Sequence, residues 1–108
     1  MAAAPLLIHR PAGAAAPLVF DSPHSGIDYP TDFAPAASRE QIATTWDAHV
    51  DELFRGVTAA GAVLIAATFP RAYLDANRAA DDIDPELLAE PWPDPIALSE
   101  HARRGMGL

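Results

Sequence analysis

Two short apolar runs, Leu18-Val19-Phe20 and Ala62-Val63-Leu64-Ile65-Ala66-Ala67, constrain this chain more than any other feature. Each is continuous and bounded by turn-forming residues, the pattern of a strand buried on both faces of a parallel sheet. The first stops at Asp21-Ser22-Pro23-His24-Ser25-Gly26, where Pro23 removes a backbone donor and drives Ser22 towards an extended conformation. The second runs out at Phe69-Pro70. Between them Trp46, Val50, Leu53, Phe54 and Val57 fall on one apolar stripe at helical spacing. Thr44 or Thr45 is placed to cap that helix and Gly61 to end it. Strand, helix and strand predict a right-handed βαβ unit with parallel strands.

The flanking segments are less patterned. Leu6-Leu7-Ile8-His9 reads as an edge strand before the flexible Arg10-Pro11-Ala12-Gly13-Ala14. A long loop from Ile27 to Ser38 has Tyr29 and Phe33 as its anchors, and Ser38 with Gln41 caps a short helical turn after it. Beyond Arg78 the periodicity lapses, leaving one turn at Pro85-Glu86-Leu87-Leu88 and a short helix from Ile96 to Arg104.

This topology places chemistry at one edge. The crossover helix runs against the strands, so its first turn, with Asp47, lies at the end where the first strand delivers His24. The second strand returns to that end and delivers Arg71, Asp75, Asn77 and Arg78. Ligands bind in the crevice outside the carboxyl ends of such strands. Taken singly, each group also has a plain structural reading. His24 suits a turn, Asp47 and Asp51 a solvated helix face, Asn77 a turn, and Arg71, Asp75 and Arg78 an ion-pair network. His9 and His49 read as surface residues, and Asp21, Ser22, His24 and Ser25 do not make a triad without a fixed mutual geometry.

Composition excludes several classes of partner. A formal net charge of −8 over 108 residues argues against binding nucleic acid or an anionic membrane through bulk electrostatics. There is no cysteine, so disulfides and thiolate metal sites are excluded. The Ala/Pro-rich start lacks the basic and long apolar regions of a signal peptide, so a cytoplasmic location is expected.

Asp21-Ser22-Pro23-His24-Ser25-Gly26 with Tyr29-Pro30, then Asp47 and Asp51-Glu52-Leu53, then Phe69-Pro70-Arg71-Ala72-Tyr73-Leu74-Asp75-Ala76-Asn77-Arg78, resembles the N-formylglutamate amidohydrolase family in residue type, order and spacing. The resemblance implies an α/β fold, a three-layer, mostly parallel sheet similar to zinc-dependent exopeptidases. It implies hydrolysis of N-formyl-L-glutamate, a small-molecule substrate, to formate and L-glutamate, a step of histidine degradation. His24 would be a ligand of Zn²⁺ or another divalent metal, with Asp47 as the carboxylate ligand and Asp51 in reserve. Asp47 and Ser25 would carry catalytic roles, Ser25 as a donor to the substrate or to a ligand. Arg71 and Arg78 would grip substrate carboxylates, while Asp75 and Asn77 orient those arginines or bind the substrate's amide.

Family members are well over twice as long, so residues 1–108 are expected to be the N-terminal portion of one such domain. A second histidine ligand and an acid or base would then lie in sequence beyond it, since His101 falls outside the matching segments. Two alternatives stand beside this reading: an amidase for another N-formyl, N-acyl or peptidoglycan amide, and a non-catalytic remnant or binding module.

Overall fold

The computed structural model describes residues 4–105. The chain divides into two compact units, Met1–Asp75 and Ala76–Leu108.

The first unit is a small mixed α/β structure. Its three strands are β1 (Leu6–His9), β2 (Val19–Ser22) and β3 (Val63–Ala67), in the order β1-β3-β2. The expected parallel pairing is present between β2 and β3, with Val19 opposite Val63 and Ser22 opposite Ala66. β1 pairs antiparallel with β3, Leu6 opposite Ala67 and His9 opposite Leu64. One of the two ladders is therefore antiparallel, and the sheet is mixed rather than mostly parallel.

Only the central strand meets the expectation of burial. Leu64 is wholly inaccessible, and Ala62, Ala66 and Ala67 are buried beside it. A leucine in that position contributes about 1.5–3 kcal/mol to folding. β2 is an edge strand, and Leu18 and Val19 are more than half exposed, so the apolar run there does not mark a strand covered on both faces. Its end is as expected: the strand stops at Ser22, one residue before Pro23.

The crossover departs furthest from the periodicity. In place of one amphipathic helix it holds α1 (Arg39–Ala43), α2 (Val50–Leu53) and a 3-10 helix over Arg55–Ala60. Ser38 and Gln41 close the predicted capping box at the start of α1. Thr44 and Thr45 cap nothing downstream; Thr44 ends α1, and both hydroxyls donate back to carbonyls of that helix. His49 takes a left-handed conformation at φ 63° just before α2, which prevents a continuous helix from Trp46. Gly56 and the β-branched Val57 and Thr58 follow, weak helix formers that settle into 3-10 geometry. Leu53 and Phe54 of the expected buried stripe are exposed. Gly61 does end the segment, at φ 90°, and its N–H bonds back to Thr58.

The second unit is made of turns and two short helical pieces, a 3-10 turn at Pro85–Leu87 and α3 (Glu100–Arg103). The helix expected from Ile96 is thus limited to its last turn, capped by Ser99. Asp82 accepts the Ser99 N–H at 2.7 Å, and its hydrogen bonds with Ser99 hold its carboxyl below the usual aspartate range.

Candidate active site

The turn after β2 is buried and fully used. Ser22, His24 and Ser25 are the buried polar residues among those described. The Ser22 hydroxyl donates to the Ser25 hydroxyl at 3.1 Å, and the latter donates to the Asp47 carbonyl at 2.7 Å. Two further bonds tie the same segments: Trp46 Nε1 donates to the Ser25 carbonyl at 2.9 Å and the Asp47 N–H to the His24 carbonyl at 3.1 Å. Trp46 and Asp47 are therefore stitched to the turn by one backbone bond and by the Trp46 indole and Ser25 hydroxyl. Asp47 precedes α2 and does not sit in its first turn, which corrects the placement expected from periodicity. Asp51 is in that first turn, and its N–H approaches the Ser25 hydroxyl at 3.4 Å.

Gly26 closes the other side of the turn. A Cβ there would collide with the backbone of Thr68 and Phe69, so only glycine lets the end of β2 lie this close to the end of β3. The Asp28 N–H then bonds to the Thr68 carbonyl at 2.9 Å, fixing the start of the long loop.

This stitching brings His24, Asp47 and Asp75 together. His24 Nδ1 lies 3.2 Å from Asp47 Oδ2, and His24 Nε2 lies 2.7 Å from Asp75 Oδ1. The second carboxylate oxygen of Asp75 accepts from Arg71 Nη2 at 2.8 Å. The Asp75 side chain is 3% exposed while that of Asp47 is 50% exposed, so one carboxylate faces the interior and the other solvent. Arg71 Nε is buried and has no hydrogen-bond partner among the described residues. Asn77 and Arg78 belong to the second unit, where Arg78 Nη1 donates to the Asn77 carbonyl at 2.9 Å.

A cavity of about 450 Å³ opens beside this cluster, with His24, Gly26, Tyr29, Arg39, Trp46 and Arg71 among its lining residues. The Arg39 guanidinium lies over the Tyr29 ring, 3.7 Å from its centroid. The two loop anchors expected from sequence join one aromatic row, with Tyr29 against Phe33, Phe33 edge-on to Tyr73 and Tyr73 edge-on to Phe69. Tyr73 donates its hydroxyl to Asp32, which holds the phenol above its ordinary pKa.

The chain matches the N-formylglutamate amidohydrolase family over residues 16–108. This chain belongs to that family. Its structure is similar to the crystal structure of N-formylglutamate amidohydrolase from Ralstonia eutropha JMP134, with a TM-score of 0.87 and 50% sequence identity. The similarity covers 98% of this chain and 38% of that one, so the chain spans less than half the length of this relative. No curated protein matches it significantly.

The family resemblance implies a divalent metal, and the donor chemistry can be tested against one. Two ligands of a tetrahedral zinc, each about 2.0–2.1 Å from it, stand roughly 3.3 Å apart. The separation of His24 Nδ1 and Asp47 Oδ2, 3.2 Å, fits that spacing. Asp75 on the other ring nitrogen is the carboxylate partner that metal-binding histidines ordinarily have. Among the described residues no group of three His, Cys, Asp or Glu side chains is arranged to hold a metal ion, so these residues do not by themselves assemble a three-donor site. No helix among them is long and apolar enough to cross a membrane.

Sequence reading singled out His24, Asp47, Asp75 and Arg71 but not their connectivity. It missed Trp46 as the residue that pins Ser25, because a tryptophan on an apolar stripe reads as core. It also missed Arg39, whose only signal was its position directly after a helix cap.

Proposed function

We propose that this chain carries part of the active site of a metal-dependent amide hydrolase that converts N-formyl-L-glutamate to formate and L-glutamate. The observation that carries the reading is the chain of contacts Arg71–Asp75–His24–Asp47 beside a cavity, in a member of this family. A neutral imidazole has a single N–H and cannot donate to two carboxylates. The shorter contact assigns that N–H to Nε2, facing Asp75, and leaves the Nδ1 lone pair facing Asp47. A lone pair facing a carboxylate needs a cation between them, either a proton on the ring or a metal, and in the metal reading His24 and Asp47 are the pair that would hold it.

A divalent metal held there would supply Lewis acidity for the formyl carbonyl and lower the pKa of water. The residues do the rest. Asp75, clamped by Arg71, fixes the tautomer and the plane of the His24 ring. Ser25 places the Asp47 backbone, and its hydroxyl, engaged with Ser22 and Asp47, serves as a positioning group. Arg71 lines the cavity beside His24, where its guanidinium suits a substrate carboxylate close to the reacting amide.

The test is formate release from N-formyl-L-glutamate by a chimera that joins this chain to the remaining sequence of the Ralstonia eutropha relative, with added Zn²⁺, beside its His24→Ala variant. Metal-dependent turnover that the substitution abolishes is the expected result. Turnover insensitive to both metal and His24, or hydrolysis of other N-acyl amino acids in preference, would contradict the proposal.

A further inference from the structure

We infer that Arg39, seated on Tyr29, is a second carboxylate-binding residue of the cavity, and that it selects substrates with a distal carboxylate. This rests on the amide-hydrolase reading above and adds to it the group that recognises the substrate's far end. Three observations carry it.

The first is charge. Arg39 and Arg71 are the two arginines that line the cavity, and they are not equivalent. Arg71 is committed to Asp75 at 2.8 Å and through it to His24. Arg39 has no carboxylate within ion-pair range among the described residues. Glu40 also lines the cavity but forms no ion pair with it.

The second is fixation. A long flexible side chain makes a poor recognition element unless something holds it. Here the guanidinium is stacked at 3.7 Å on Tyr29, a geometry that leaves its N–H edges available in the plane of the group. Tyr29 is held in turn by the row Phe33, Tyr73 and Phe69, and the backbone of Arg39 by the Ser38–Gln41 capping box.

The third is the spacing of the substrate. In an N-acyl amino diacid the α-carboxylate lies next to the carbon that bears the amide nitrogen, whereas the distal carboxylate is two carbons further out. The cation linked to His24, Arg71, suits the near carboxylate. The cavity cation that stands outside the His24 chain of contacts, Arg39, suits the far one.

Calorimetric titration of the full chain with N-formyl-L-glutamate and with N-formyl-L-glutamine tests this, because the two ligands differ only in the charge of the distal group. The wild-type chain should prefer the glutamate ligand. Arg39→Gln should weaken N-formyl-L-glutamate by about 10- to 100-fold, the loss expected for a hydrogen-bonded charge pair, and change N-formyl-L-glutamine less than twofold. Arg39→Lys should fall between them, and an unchanged denaturation midpoint should confirm that both variants fold. Equal losses for both ligands, no loss for either, or no preference in the wild-type chain would overturn the inference. The ligand pattern without formate release by the chimera described above would leave Arg39 its role and sink the hydrolase reading instead.

Discussion

At the scale of single residues, the site depends on how closely two strand ends approach. Gly26 meets the backbone of Thr68 and Phe69 with no room for a methyl group, and backbone cannot move aside as a flexible side chain can. Gly26→Ala should therefore lower stability by about 3 kcal/mol, the upper range for overpacking, seen as a reduced midpoint in urea. An unchanged midpoint would mean that the two strand ends do not meet in this way. The need for a glycine was visible in the sequence only as a turn signal. That the glycine faces a segment distant along the chain was not, because the collision partner belongs to tertiary structure. His24, Asp47 and Asp75 illustrate the same limit. Their types and their convergence at one sheet edge were legible, since strand direction fixes where each chain segment emerges. Which carboxylate meets which ring nitrogen depends on χ angles that no periodicity encodes.

At the scale of elements, strand positions were legible and the helix was not. A strand bounded by proline has a definite end, and β2 stops where Pro23 requires. The stripe from Trp46 to Val57 had the right spacing, yet local preferences overrode it: a left-handed His49, then Gly56, then two β-branched residues. Trp46 had a competing use for its indole N–H at the Ser25 carbonyl, which draws the chain across the turn instead of into a helix. Gly56 itself carries no positive φ and faces open space, so nothing in the fold requires it. Gly56→Ala should stabilise the chain by about 0.4–1 kcal/mol through the unfolded state, measured as a raised denaturation midpoint. The same change at Gly61, at φ 90° and against the Ala14 carbonyl, should do the opposite. Stabilisation at both positions would contradict these backbone conformations.

At the scale of the whole molecule, a mixed three-stranded sheet is enough to assemble the His24 cluster in the first unit. The α/β class and the parallel pairing of β2 with β3 followed from two apolar runs and a crossover. The antiparallel β1 did not, because pairing direction is not written in a four-residue apolar segment. The chain is 50% identical to a family member of which it matches 38%, and the reaction and the side-chain roles are the ones proposed above. Those roles stand or fall on whether His24 binds metal. Zinc affinity of the purified chain, compared with its His24→Ala and Asp75→Asn variants by calorimetry, decides it. The expected result is zinc binding by the wild-type chain, its loss in His24→Ala, and a roughly 10- to 100-fold weakening in Asp75→Asn. Zinc bound equally by all three chains would show that the His24 cluster is a structural hydrogen-bond network and that the metal, if there is one, sits elsewhere.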